Sequence, residues 1–124
     1  MFAAWRAQDR PDDTSGHAAY LVMLLRELRG GLHFAALRAQ GIEIPVAVLA
    51  DPNGGVTRLR QTGWRTEQIE GLQERAARVP DLAARWTAAE QMTDAAYDEA
   101  RSVLTAAERA ELDALLVDAE AISR

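Results

Sequence analysis

The pentapeptide Asp51-Pro52-Asn53-Gly54-Gly55 does most to restrict how this chain folds. Proline presets one turn dihedral, and asparagine and glycine tolerate the positive φ that a reversal needs, so the chain turns here. On both sides apolar residues recur at helical spacing, so the turn joins helices. Upstream, Pro45 suits the first turn of a short apolar helix over Val46 to Ala50. Downstream, Val56 to Thr62 is long enough for one or two helical turns closed by Gly63. Thr66 then caps a helix carrying Ile69, Leu72, Ala76 and Val79 on one face, and Pro80 ends it.

The flanks read as longer helices. Asp9 to Asp13 follows a short arm or helix with a turn, and Thr14 or Ser15 caps a helix with Leu21, Leu24, Leu25 and Leu28 at helical spacing. Gly30-Gly31 predicts a kink or break in it, since each interior glycine costs roughly 1 kcal/mol relative to alanine. The pattern resumes through Leu32, Ala35, Ala36 and Ala39 and stops at Gly41, a natural left-handed cap. Near the other end, Thr87-Ala88-Ala89-Glu90 and Thr105-Ala106-Ala107-Glu108 have capping-box spacing and predict two helix starts. A further helix is expected from about Thr93, and a last one presents Leu112, Leu115, Leu116, Ala119 and Ile122. No strand pattern and no internal repeat stands out.

The expected organisation is an arm over 1–13 and a single helical domain over 14–124, mainly α. Within it, the succession of short helices over about 45–79 is laid out as a helix-turn-helix module is. A compact helical bundle also contains such a succession. At 124 residues one ordinary core is feasible. The absence of cysteine excludes disulfides, thiolate metal sites and a cysteine nucleophile. The longest apolar runs, Ala18 to Leu25 and Pro45 to Ala50, are too short for a membrane span, and no basic-then-apolar leader opens the chain, so a cytoplasmic location is expected. The net charge of −5 is uneven, with nets of 0, +1 and −6 over residues 1–50, 51–85 and 86–124. An acidic chain lacks a general electrostatic footprint for nucleic acid, so any DNA contact falls to the middle segment.

Leu24-Leu25-Arg26-Glu27-Leu28-Arg29-Gly30-Gly31-Leu32-His33-Phe34-Ala35-Ala36-Leu37, followed by Gly41, resembles a motif of a poorly characterised actinobacterial family with a MarR-like helix-turn-helix region. Val48-Leu49 is similar to the apolar helix of that region, Gly63-Trp64 with Thr66-Glu67 to its capped recognition helix, and Trp86-Thr87 through Asp94 to the segment leading into its C-terminal helix. The similarity runs from about Pro11 to the end. It departs at Gly31 and Leu32, where that family more often has Asp and Gly, so a role tied to that Asp is missing. Ala77 to Arg85 is too short and too poor in β-branched residues for a two-stranded wing, so the wing is expected to be reduced or absent. Around Trp86 to Leu112 there is a lesser similarity to carboxymuconolactone decarboxylase-like helical proteins, whose redox cysteines are absent here.

The resemblance implies a DNA-binding regulator, or a non-catalytic descendant of one, acting as a homodimer with a small-molecule effector. On the expected recognition helix, Arg65, Gln68, Gln73, Arg75 and Arg78 have the forked geometry that reads bases or holds phosphates, and Arg58 and Arg60 add phosphate contacts. Glu67, Glu70 and Glu74 share that helix and leave it without net charge, so a solvated face with pairs such as Glu74 and Arg78 is the competing reading. The ligand-binding candidates are Arg26, Arg29 and His33. Arg29 and His33 lie four apart, on one side of a helix, where they suit a carboxylate or phosphate. The competing reading is a packing histidine beside the glycine pair. No metal-ligand spacing and no cofactor motif is present. Trp5, Trp64 and Trp86 are expected as core or interface anchors. Two further functions stay open: a helical small-molecule binder or enzyme centred on Arg29 and His33, and a protein-interaction subunit.

Overall fold

The computed structural model describes residues 2–122, and for residues 2, 5 and 119–122 it describes the backbone course alone. The anchoring expected of Trp5, and the end of the apolar stripe at Ala119 and Ile122, therefore lie outside the described side chains. The chain forms α1 (Phe2–Arg6), α2 (Thr14–Ala39), α3 (Ile44–Ala50), α4 (Gly55–Gln61), α5 (Thr66–Ala77), α6 (Leu82–Ala100), a 3-10 turn (Arg101–Val103) and α7 (Ala106–Ile122). No strand occurs among the described residues. Only residues 78–81 separate α5 from α6, which leaves no room for a two-stranded wing. The protein is a mainly α, helix-turn-helix fold.

Local chemistry explains most of the boundaries. The Asp13 carboxylate, rather than Thr14 or Ser15, caps α2 by accepting the Gly16 N–H at 2.8 Å. The helix ends as expected at Gly41, whose φ of +69° suits a residue without a Cβ. In the central turn, Asp51 Oδ1 accepts the Asn53 N–H and the Asp51 carbonyl accepts the Gly54 N–H, at 2.8 and 2.9 Å. A Cβ on Gly54 would run into the Val48 carbonyl oxygen, so the turn packs back on α3 too closely for any larger residue. At α5 the Gln68 side chain reaches back to accept the Arg65 N–H at 3.0 Å, which makes Arg65 and not Thr66 the residue before the helix.

Besides these caps, and α5 ending at Ala77 before the Val79 expected on its apolar face, the two long helices differ from expectation at three places. First, α2 runs unbroken through Gly30-Gly31. No neighbouring atom lies within 4 Å of where a Cβ would stand on either glycine, so the pair serves no close backbone approach. Tertiary packing of a 26-residue helix outweighs two unfavourable propensities. Second, Thr87 to Glu90 is not a helix start. It lies inside α6, where the Thr87 hydroxyl donates to the Ala83 carbonyl at 3.0 Å. Third, Thr93 begins no helix, because α6 continues through it.

One core ties the elements together. Leu37 of α2, Val46 and Ala47 of α3, Leu59 of α4, Ile69 and Leu72 of α5 and Ala89 of α6 are buried in a single cluster with Ile42. Trp64 and Trp86 pack against it, as expected of anchors. Burying Leu37, Leu59 and Leu72 completely stabilises the fold by roughly 2 kcal/mol each. The longest packed contact is α2 on α6, with α3 bridging to α2, α4, α5 and α6, and α1 resting on α2.

Helix α7 stands outside this cluster. Its start is the second expected capping box: the Thr105 N–H and hydroxyl both donate to Glu108 Oε2 at 2.8 Å, and the Glu108 N–H donates to Thr105 Oγ1 at 3.3 Å. These bonds, the Thr105 backbone one first, hold the Glu108 carboxyl below its ordinary value. A depressed carboxyl stabilises the fold above the unfolded glutamate value and loses that contribution as pH falls through the folded one. Titration followed by NMR should therefore show Glu108 titrating below ordinary glutamates, with first-turn amide protection in α7 declining over the same acid range. Thr105→Ala should move Glu108 back toward its ordinary value, and an unchanged titration would disprove the box.

Candidate functional site

Arg85 donates to the Gln40 carbonyl at 3.0 Å, while Arg29, eleven residues before Gln40, meets Glu90 and Asp94, so α2 and α6 run antiparallel. This register lays Arg29 and His33 of α2 against Glu90, Thr93 and Asp94 of α6. Arg29 Nη2 donates to Asp94 Oδ1 at 2.9 Å and to Glu90 Oε2 at 3.2 Å. Burial works against the Arg29 charge, and the hydrogen bonds of Asp94 and Glu90 outweigh it, so the guanidinium lies above its ordinary pKa.

His33 completes the cluster. Its Nδ1 lies 3.1 Å from Glu90 Oε1 and 3.2 Å from Thr93 Oγ1. Thr93 is fully buried, and its hydroxyl proton is already given to the Ala89 carbonyl at 2.7 Å. Towards His33, then, Thr93 Oγ1 acts as an acceptor, and the carboxylate of Glu90 also accepts. Both contacts require Nδ1 to carry a hydrogen, which leaves Nε2 as the ring nitrogen without a described partner.

Arg29 and His33 are thus brought together, as their spacing suggests, but by two carboxylates supplied by the protein. Arg26, the third candidate, is exposed and joins neither carboxylate. Glu90, Thr93 and Asp94 were not found from the sequence. Their signal was present in the three- and four-residue spacing that puts them on one helical face, but Thr87 to Glu90 mimics a capping box and masks it. Among the described residues no group of His, Asp and Glu is arranged to hold a metal ion.

The same side of the molecule carries a cavity of about 290 Å³. His33 and Phe34 of α2, Val48 of α3, Arg58 of α4 and Trp86 and Glu90 of α6 contribute to its wall, with Asp51 at the central turn. It lies where the α2–α6 pair meets α3 and α4.

The proposed DNA contacts are all on the surface. Arg58, Arg60, Arg65, Gln68, Gln73, Arg75 and Arg78 are each exposed, while Ile69 and Leu72 turn α5 inward. Arg75 Nε is 3.3 Å from Glu43 Oε2, and Arg78 Nη2 is 3.9 Å from Glu74 Oε2. At 100° per residue, Glu67, Glu70, Glu74 and Arg78 occupy the arc opposite the buried one, with Gln68 and Arg75 on one flank and Gln73 on the other. Arg58, Arg60 and Arg65 have no described side-chain partner; the first two lie on α4 and Arg65 directly precedes α5.

Residues 1–123 match a family described as a helix-turn-helix family. The chain belongs to that family. Neither a curated protein nor a solved structure matches it. No single helix among the described residues is long and apolar enough to cross a membrane, and the one apolar pair, α2 with α3, is bent by 91°.

The α2–α6 cluster should measure as a modest stabiliser. Arg29 and Asp94 are 43% and 63% exposed, so solvent screens that pair, whereas Glu90 also orients His33. Glu90→Ala should lower unfolding free energy by about 1 kcal/mol in urea titration. It should also shift the His33 ring resonances, and a variant with unchanged stability and unchanged ring shifts would remove Glu90 from this role.

Proposed function

We propose that the protein is a DNA-binding transcription regulator of MarR-like type that works as a homodimer and answers to a small-molecule effector. The observation that carries this reading is that, in a chain of a helix-turn-helix family, Arg58 and Arg60 on α4 and Arg65 at the entry to α5 are exposed and without described side-chain partners. In such modules the N-terminal part of the second helix reaches base edges while the preceding helix crosses the backbone. Arg65 and Gln68 then face the bases, and Arg58 and Arg60 face phosphates. Gln73, Arg75 and Arg78 lie further along α5 and serve as flanking contacts once Arg75 and Arg78 leave Glu43 and Glu74. The glutamate arc opposes nonspecific binding and makes recognition depend on a few placed cations.

The dimer reading is supported by apolar surface outside the core. Leu115 and Val117 of α7 are 59% and 66% exposed, and Leu21 and Val22 of α2 are exposed as well. Leu112 and Leu116 are only half-buried. A helix of this kind gains little from its own chain and much from a second copy. A second reading, a small-molecule-binding helical protein without DNA, is favoured by one observation: His33 and Glu90, while paired with each other, also line a cavity.

In fluorescence anisotropy against the DNA upstream of its own coding sequence, the protein should bind more tightly than to a scrambled duplex, with affinity falling as salt rises. Arg60→Ala with Arg65→Ala should weaken that binding at least about ten-fold without lowering thermal stability. Equal affinity for the two duplexes would overturn the regulator reading. Light scattering should report a particle of two chains at micromolar concentration, and Leu115→Glu with Val117→Glu should return it to one. A single-chain particle for the unaltered protein would refute the dimer.

A further inference from the structure

We infer that a second cavity, at the corner between α6 and α7, binds a free α-amino acid with a small polar side chain, held as a zwitterion by Asp98, Arg101, Arg109 and Asp113. It shares no residue with the α2–α6 cluster or with the cavity at His33, and it requires no DNA. Asp98 and Arg101 are three residues apart at the end of α6 and the start of the 3-10 turn, and Arg109 and Asp113 are four apart on α7, so each pair shares a helical face. The 3-10 turn and the Thr105–Glu108 box fix the corner, and the two pairs line a cavity of about 340 Å³. That volume is at the small end of ligand cavities. The wall is formed by two cations and two carboxylates, so an apolar molecule would leave charges without partners.

These four groups are unequally engaged. Arg101 Nη2 donates to Asp113 Oδ1 at 2.6 Å, and the guanidinium carbon stands 5.4 Å from the centre of the Tyr97 ring. The Arg101 side chain is only 13% exposed, yet its buried Nε has no hydrogen-bond partner among the described residues. One carboxylate thus leaves a largely buried cation under-compensated. Arg109, partly buried, and Asp98, exposed, have no described partner, and Arg109 does not pair with Asp113 one turn on. A simple anion here would meet Asp98 and Asp113 as like charges, and a simple amine would meet Arg101 and Arg109. A zwitterion suits both: its carboxylate accepts from Arg109 and from the free Nη1 of Arg101, and its ammonium, with three donors, gives to Asp98 and to the second oxygen of Asp113. Such a ligand bridges α6 and α7, which among the described residues are joined by the single ion pair Arg101–Asp113.

The test is isothermal titration of the full chain, without DNA, with L-serine, L-threonine, L-asparagine and L-glutamine. At least one should bind with a sub-millimolar Kd. Its methyl ester, which lacks the carboxylate charge, and its des-amino analogue should each bind about ten-fold more weakly. Asp98→Asn and Arg109→Gln should each cost about the same factor, and because neither breaks a described pair, circular dichroism should be unchanged. Saturating ligand should also slow amide hydrogen exchange in α7. Absence of binding by all four amino acids at millimolar concentration would overturn the site, as would equal affinity for the ester or the des-amino analogue. Unaltered affinity in either variant would place the ligand elsewhere and overturn it too. Unchanged exchange in α7 at saturation would overturn the bridging of the two helices.

Discussion

The antiparallel contact between α2 and α6 is the constraint on which the rest of the molecule depends. Leu37 and Ala89 place both helices in the core, and the polar end of the same contact is fastened by Glu90, which receives Arg29 on one oxygen and His33 on the other. The three short helices have little surface of their own. They are held because Val46, Leu59 and Leu72 are inserted into the core formed with this pair. A helix of seven residues is not stable in water, so α3 and α4 exist by virtue of that burial.

This division of labour explains what was legible in the sequence. The short helices were readable because proline and glycine punctuate them: Pro45, the Asp51-to-Gly55 turn, Gly63 and Pro80 act through local backbone sterics that need no tertiary context. The same holds for Thr105 and Glu108, whose capping box is built from four consecutive residues. Gly30-Gly31 and Thr87-to-Glu90 misled for the opposite reason. Their local preferences point to a break and a start, yet both lie inside the two helices that pack on each other, and packing along a whole helix overrides preferences of about 1 kcal/mol. Arg29 and His33 were legible as a pair because four-residue spacing is local. Their partners on α6, about 60 residues away, required the register of the two helices and hence the fold.

The charge distribution gives the helix-turn-helix an unusual character. Its second helix presents Glu67, Glu70 and Glu74 outward, and two of its arginines are satisfied within the protein. A module that binds DNA through bulk positive charge has no use for this pattern. One that relies on a small set of placed arginines gains from it, because acids beside the contact penalise every poorly aligned complex while costing less in the correct one. On the regulator reading proposed above, Arg58, Arg60 and Arg65 would carry a disproportionate share of the interaction.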